Sequence, residues 1–268
     1  MKDKLPSYEH VKMPLSDRQS QILRDLRAAG QVQVDRLAAD FDVATQTIRR
    51  DLSALCDAGL AARIHGGARM ISGVASAGYA ARRETAEAEK QLIASHVAQL
   101  IPNDCSVMLN IGTTTEQVAM ALSDHSGLMV ITNNLNIANL LVVNRDIELV
   151  LAGGVVRQSD GAIVGDQAAS FMDQFKADYA VIGASAVDQD GSALDFDARE
   201  VAVAQAILRN AKQRILAVDA SKLDCRAPRR ICGLDQLDYV VTTAKPPTEF
   251  MAAAEDAGCK VMVADAKH

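Results

Sequence analysis

Between Ser106 and Ala264 the sequence switches repeatedly between short apolar runs and helix-length amphipathic segments, a pattern that few folds accept. The runs Ser106–Asn110, Leu128–Thr132, Ile147–Ala152, Tyr179–Gly183, Arg214–Asp219, Tyr239–Thr242 and Lys260–Ala264 have strand length. Helix-length segments such as Glu116–Leu122, Leu135–Val143, Ala198–Asn210 and Thr248–Ala257 stand between most of them. A nearly continuous apolar run buries both faces of a strand, which requires a sheet covered by helices on either side. The expected class is therefore α/β, with a mostly parallel, Rossmann-like sheet. Such sheets bind ligands beyond the carboxyl ends of their strands, so residues just after each strand carry the functional weight.

Residues 15–70 read differently. Ser16 can cap a helix whose apolar positions include Ile22, Leu23 and Leu26 and which ends at Gly30. Val34, Leu37, Ala38 and Phe41 recur at i, i+3, i+4 and i+7, the period of a second helix. After a break at Asp42-Val43, Ile48, Leu52 and Leu55 form the inward stripe of a third, which turns Gln46, Arg49, Arg50 and Ser53 outward. Two short helices across a tight turn, the second presenting Gln and Arg, suit a DNA major groove. Arginine grips guanine or phosphate, glutamine pairs with adenine, and hydroxyls such as those of Thr45 and Thr47 reach phosphates. Periodicity does not divide these roles among the residues, and it would equally serve a three-helix packing module with solvated arginines. Leu60–Arg69, with Gly66 and Gly67, predicts a β-hairpin wing from which Arg63, His65 and Arg69 could reach phosphates.

Residues 71–84 combine Gly73, Ser76 and Gly78 with other small residues and then Arg82-Arg83, a composition suited to a hinge. From Thr85 an apolar pattern through Ile93, Val97 and Leu100 predicts a long helix that Pro102 terminates. The domain reading is thus a polar tail over 1–14, a DNA reader over 15–70, a hinge over 71–84 and a sensor over 85–268.

In the sensor, Gly112, Thr113, Thr114 and Thr115 follow the first strand and open a helix, whose N-terminus favours an anion. The loop lacks the lysine of a Walker motif and the further glycines of a dinucleotide fingerprint. Thr132 and Asn133 follow the second strand, Gly153, Gly154 and Arg157 the third, and Asp195, Asp197 and Glu200 precede the helix after the fourth. Lys222 follows the fifth, in Asp219-Ala220-Ser221-Lys222. Carboxylates accept hydrogen bonds from polyol hydroxyls, while Lys222 and the threonines suit a phosphate. Each residue alone reads as a cap or a surface charge; their shared position after strands points to one pocket.

The net charge of −6 divides unevenly, +2 over residues 1–70 and −8 over 71–268, an acidic sensor carrying a mildly basic reader. No apolar run approaches the roughly 18 residues of a membrane span, and the start of the chain has no signal-peptide core, so a cytoplasmic protein is expected. Its five cysteines are scattered, without CxxC or zinc-ligand spacing, so neither a metal nor another cofactor is expected.

The string Thr47-Ile48-Arg49-Arg50-Asp51-Leu52, with Leu55, Gly59-Leu60 and Arg63-Ile64-His65-Gly66-Gly67-Ala68, resembles the DNA-binding segment of the DeoR family of bacterial repressors. Ile111-Gly112-Thr113-Thr114, Thr132-Asn133-Asn134-Leu135-Asn136, Leu151-Ala152-Gly153-Gly154, Asp160-Gly161 and Asp219-Ala220-Ser221-Lys222 resemble its sensor domain. One departure is Ala44, where the family usually has a serine capping the recognition helix; either Thr45 substitutes as the cap or the helix start is less stable by about 1 kcal/mol. The resemblance implies a repressor that binds operator DNA as a homo-oligomer, dimer or tetramer, and is released by a phosphorylated metabolite. The run Ile111–Gly191, with Leu194–Asp197, Glu200-Val201 and Pro246-Pro247, is most similar to family members governing glycerol 3-phosphate metabolism, which implies glycerol 3-phosphate as effector; another sugar phosphate is the alternative. The family's sensor is related in fold to ribose-5-phosphate isomerase, so catalysis must be weighed. Where the isomerase pattern has an acidic pair, this chain has Ser185 and Ala186, and no lysine occurs between Lys176 and Lys212. Glu200 is then a lone carboxylate, and no catalytic residue is expected.

Overall fold

The structure, a computed structural model, describes residues 16–29, 31–57, 61–64, 66–70, 79, 82–83, 85–223 and 225–265. The polar tail, Gly30, His65 and most of the expected hinge lie outside the described residues. The chain divides into two units, Met1–Ile71 and Ser72–His268.

The first unit runs α1 (Asp17–Ala29), β1 (Gln31–Gln33), α2 (Val34–Asp40), α3 (Thr45–Asp57), β2 (Ala61–Ile64) and β3 (Gly67–Met70). Ser16 and Gln19 close a capping box at α1: the Gln19 amide donates to Ser16 Oγ at 3.2 Å and the Ser16 amide to Gln19 Oε1 at 3.0 Å. Ile22, Leu26, Ile48 and Leu55 are fully buried where α1 meets α3. Losing any of them to alanine would cost about 2–5 kcal/mol. Asp51 turns inward, accepting from Arg18 at 2.6 Å and Gln19 at 3.2 Å, which ties α3 back to α1. β2 and β3 pair antiparallel as the wing and β1 joins β3. At the wing's turn Gly66 adopts φ +76°, and a side chain there would meet Gln33 Oε1 at 3.1 Å.

The second unit begins with α4 (Glu87–Leu100), β4 (Ser106–Leu109), α5 (Thr113–Ala121), β5 (Leu128–Thr132), α6 (Leu135–Leu141) and β6 (Ile147–Leu151). It continues through the hairpin β7 (Val156–Arg157) and β8 (Ala162–Ile163), then α7 (Asp166–Met172), β9 (Ala177–Ile182), β10 (Ala186–Val187), β11 (Ala193–Asp195) and α8 (Ala198–Arg209). Last come β12 (Ala211–Ala217), β13 (Arg229–Cys232), β14 (Tyr239–Thr242), α9 (Thr248–Asp256) and β15 (Lys260–Val263). Seven strands, all pairing parallel, form one sheet in the order β15-β14-β12-β9-β4-β5-β6. These are the seven apolar runs of the sequence.

Strand periodicity sorts the core into two layers. Val107, Leu109, Val181, Ile215 and Val241 pack with Ile93 and Val97 of α4, Val118 of α5 and Ile137 of α6. Met108, Ala180, Ile182, Leu216 and Val240 face the other way, onto Met172 of α7, Ile207 of α8 and Phe250 of α9. The chain lays β4, β5 and β6 outward in one direction, then β9, β12, β14 and β15 in the other. Connections leaving β4 and β9 therefore diverge, opening a crevice at this switch point.

One local expectation is corrected, and two elements are added. Helix α4 starts at Glu87 and not at Thr85; Ala86 precedes it at φ +54°, and the Thr85 carbonyl accepts from Lys90 Nζ at 2.6 Å. The small sheet β10-β11-β13 and the helix α7 were not foreseen, because their segments are too short or too alanine-rich to carry a clear period.

Candidate functional site

Two surfaces carry polar chemistry that packing does not require. On α3 the buried stripe of Ile48, Leu52 and Leu55 leaves Gln46, Arg49 and Arg50 exposed, with Thr45, Thr47 and Ser53 half-buried beside them. Arg63 on β2 is exposed and donates to Ser53 Oγ, while Ser53 Oγ donates to the Arg49 carbonyl at 2.8 Å. The base of the wing is thereby stapled to the outer face of α3. His65 and the side chain of Arg69 lie outside the described residues.

The second surface is a cleft at the switch point of the large sheet, lined among others by Tyr79, Arg82, Asn110, Gly112, Thr113, Thr114, Asp160, Ser185, Asp195, Glu200 and Lys222. Asn110 holds its two sides together: Oδ1 accepts from the Gly183 amide at 3.0 Å and Nδ2 donates to the Gly183 carbonyl at 3.3 Å. Gly112 precedes α5 with φ +145°, and a Cβ there would stand 3.3 Å from Thr115 Oγ1. The open start of α5 presents amide groups that the helix itself does not use.

Ionisable groups in the cleft form two clusters. Arg82 and Lys222 line it near the buried Lys90, whose ammonium burial pushes down and the two neighbouring cations push down further, while Asp219 opposes them. Lys90 Nζ donates to the Arg82 and Thr85 carbonyls. The acidic cluster is Asp160, Asp195 and Glu200, set around Arg157. Arg157 donates to Asp160 at 2.5 Å and Glu200 at 2.6 Å and reaches Asp197 at 3.3 Å. Burial raises the Asp195 carboxyl despite bonds from the Phe196 and Asp197 amides and from Ser185. Burial, and then the charge of Asp195, pushes Glu200 up to about 7 against the pull of Arg157.

The first unit matches the model of the DeoR-like helix-turn-helix domain over residues 18–74, and the second matches that of the DeoR C terminal sensor domain over residues 85–244. The chain belongs to the DeoR family. A glycerol-3-phosphate regulon repressor of Escherichia coli (strain K12) is 40% identical over 244 residues, 91% of this chain and 97% of the relative. The HTH-type transcriptional repressor CsqR of the same organism is 35% identical over 246 residues, 92% and 94% of the two chains. Ribose 5-phosphate isomerase A from Methanocaldococcus jannaschii overlaps 52% of this chain and 55% of its own, at 17% identity and a TM-score of 0.39.

Of the residues that the sequence singled out in this DeoR sensor, the cleft brings together Gly112, Thr113, Thr114, Asp195, Glu200 and Lys222. Others do different work. Thr115 is fully buried and donates to the Asn110 and Gly112 carbonyls at 2.9 Å each. Thr132 Oγ1 is likewise buried, donating to the Leu109 carbonyl at 2.8 Å and accepting from the Asn134 amide. Asn133 Nδ2 donates to the Ile163 carbonyl at 2.8 Å. Gly153 and Gly154 are exposed and do not line the cleft. Arg157 stands behind Asp160 and Glu200, and Asp197 caps α8 by accepting from the Arg199 amide at 2.9 Å. Glu200 is not a lone carboxylate, since Arg157 pairs with it and Asp195 adjoins it. At the start of α3, Thr45 is the first helical residue, and the Ala44 carbonyl accepts from the Thr47 and Ile48 amides. Sequence reasoning missed Tyr79, Arg82 and Asn110; only the Tyr79/Arg82 pair, polar residues after a glycine-rich stretch, left a visible signal.

Proposed function

We propose that this DeoR-family chain is a DNA-binding transcriptional repressor of glycerol 3-phosphate metabolism genes, released from its operator when a phosphorylated metabolite fills the sensor cleft. One observation carries the reading: a single cleft holds two cations and an open helix start beside three carboxylates. A ligand that satisfies both clusters carries one phosphate and several hydroxyl donors. Glycerol 3-phosphate has that composition, and relatives named as repressors of its regulon support it. The phosphate sits at Gly112–Thr114 with Arg82 and Lys222, while Asp195 and Glu200 accept from the hydroxyls. Catalysis is not part of the reading: Ser185 is a donor to Asp195, Ala186 is buried in β10, and Glu200 is engaged by Arg157.

Arg49, Arg50 and Gln46 enter the major groove, and Arg63 with His65 in the wing meets phosphates. One small reader offers limited contact, so the repressor works in the cytoplasm as a dimer or tetramer joined through the sensor. Residues 71–84 act as the hinge between effector and reader. A coupling of roughly 1–3 kcal/mol per site lowers operator affinity about 5- to 150-fold. The test is calorimetry with glycerol 3-phosphate, fructose 1-phosphate and galactosamine 6-phosphate, paired with gel shifts on the chain's own upstream DNA. Heat and operator release with glycerol 3-phosphate support the assignment; a response to another phosphate alone moves it to that ligand. Turnover of any of them by the purified chain ends the non-catalytic reading.

A further inference from the structure

Tyr79 lies ahead of α4 in the sequence, 37 residues before the Glu116 side chain it meets. It lines the cleft together with Arg82. Its hydroxyl donates to the Glu116 carboxylate, at 2.9 and 2.7 Å from the two oxygens, and accepts from Asn136 Nδ2 at 2.8 Å. Glu116 is buried in the first turn of α5 and also accepts from Asn134 at 3.1 Å and Asn136 at 3.0 Å, both from the start of α6. Asn136 donates in turn to the Asp160 carbonyl at 2.9 Å, so the network ends at another residue of the cleft. Burial and the bond to Glu116 raise the phenol well above its ordinary range, so it keeps its proton and stays a donor. Nothing in the core requires this bond; a phenylalanine would fill the same ring volume.

We propose that Tyr79 is a positioning residue for the cleft: anchored on Glu116, it holds Arg82 where the phosphate arrives, so effector occupancy and docking of the Tyr79 and Arg82 side chains stabilise each other. The inference rests on the reading of the cleft as an effector site. A ligand that touches Arg82 binds only the docked arrangement, so its apparent affinity scales with the docked fraction, and binding raises that fraction in return. Tyr79 and Arg82 fall within the expected hinge of residues 71–84, so this bond ties that hinge to the cleft.

The test uses the full chain and Tyr79→Phe, which keeps the ring and removes the anchor. Trypsin cleavage after Arg82 or Arg83 reports undocking. Without ligand, Tyr79→Phe is cleaved about tenfold faster, the factor expected for a lost hydrogen bond to a carboxylate, while its thermal melt drops by only the few degrees that this one bond supplies. Its affinity for glycerol 3-phosphate falls by the smaller factor set by the loss of docked fraction, and saturating glycerol 3-phosphate restores slow cleavage. Glu116→Gln, which keeps a carbonyl acceptor, loses less, and the double variant is no faster than Tyr79→Phe, because both changes act on one bond. Cleavage of ligand-free Tyr79→Phe at the wild-type rate overturns the proposal, as does weaker phosphate binding with unchanged cleavage, which makes the hydroxyl a plain ligand contact. Faster cleavage with no sugar phosphate bound by wild type brings down the effector reading and the coupling with it. Half-protection of both proteins at the same glycerol 3-phosphate concentration leaves the effector reading standing and removes only this inference.

Discussion

Glu200 offers the sharpest physical test of the cleft, because its ionisation is costly in the folded chain and free in the unfolded one. Burial raises it first, the Asp195 and Asp160 charges add to this, and Arg157 at 2.6 Å offsets part, leaving it at about 7 against an ordinary value of 4.5. Below about pH 4.5 Glu200 is protonated in both states, and its contribution to stability is fully present. Between 4.5 and 7 the unfolded chain releases the proton first, so the folded state binds more protons and stability falls as pH rises. Above 7 the contribution is gone. At about 1.4 kcal/mol per pH unit, crossing this window costs about 3 kcal/mol, and water reaching the 20% exposed side chain trims that to roughly 2–3. Glu200→Gln cannot titrate, so it does not pass through this loss. Urea unfolding of both proteins, followed at pH 4.5, 5.5, 6.5 and 7.5 without ligand, should show the stability of Glu200→Gln relative to wild type rising by roughly 2–3 kcal/mol across the series. The comparison cancels the titrating groups that do not interact with Glu200. A difference that stays constant with pH, or one that shrinks, would mean Glu200 is already ionised beside Arg157, and that burial does not govern the acidic cluster.

Other expectations divide the two surfaces. Arg49→Ala or Arg50→Ala should abolish operator binding in gel shifts while calorimetry with the effector is unchanged. Lys222→Ala should do the reverse, losing effector binding at least about tenfold and leaving a repressor that does not release. Gly112→Ala forces a side chain into φ +145° and against Thr115 Oγ1 at 3.3 Å, so thermal unfolding should show a loss of about 1–3 kcal/mol together with weakened effector binding. 3-Phosphoglycerate, which sets a carboxylate against Asp160, Asp195 and Glu200, should bind at least about tenfold more weakly than glycerol 3-phosphate in the same calorimeter; equal affinity would refute the division into cationic and acidic clusters.

How far the sequence disclosed this molecule depends on the range of the interactions involved. The seven strands were legible because each is an apolar run whose burial on both faces is written locally, residue by residue. The outward face of α3 was legible for the same reason, since Ile48, Leu52 and Leu55 fix the buried stripe and so fix what remains outside. The cleft was legible only in part. A hydroxyl or amide just after a strand reads the same whether it awaits a ligand or satisfies its own backbone. Thr113 and Thr114 line the cleft, whereas Thr115 and Thr132 spend their oxygens on the carbonyls of Asn110, Gly112 and Leu109. Nothing in the letters separates these cases, because Thr132's partner is set by the register of β5 against β4 and Thr115's by the path of the turn from β4 into α5. Tyr79 and Arg82 left only a faint signal for a stronger reason: Tyr79 joins the cleft across 37 residues of chain, through a hydrogen bond to Glu116 that local periodicity does not encode. Local periodicity thus specifies the scaffold, and long-range polar pairing specifies the cleft. Side chains that bridge the two, Asn110 and Tyr79 foremost, are where a ligand-sensitive equilibrium can be built without altering the core.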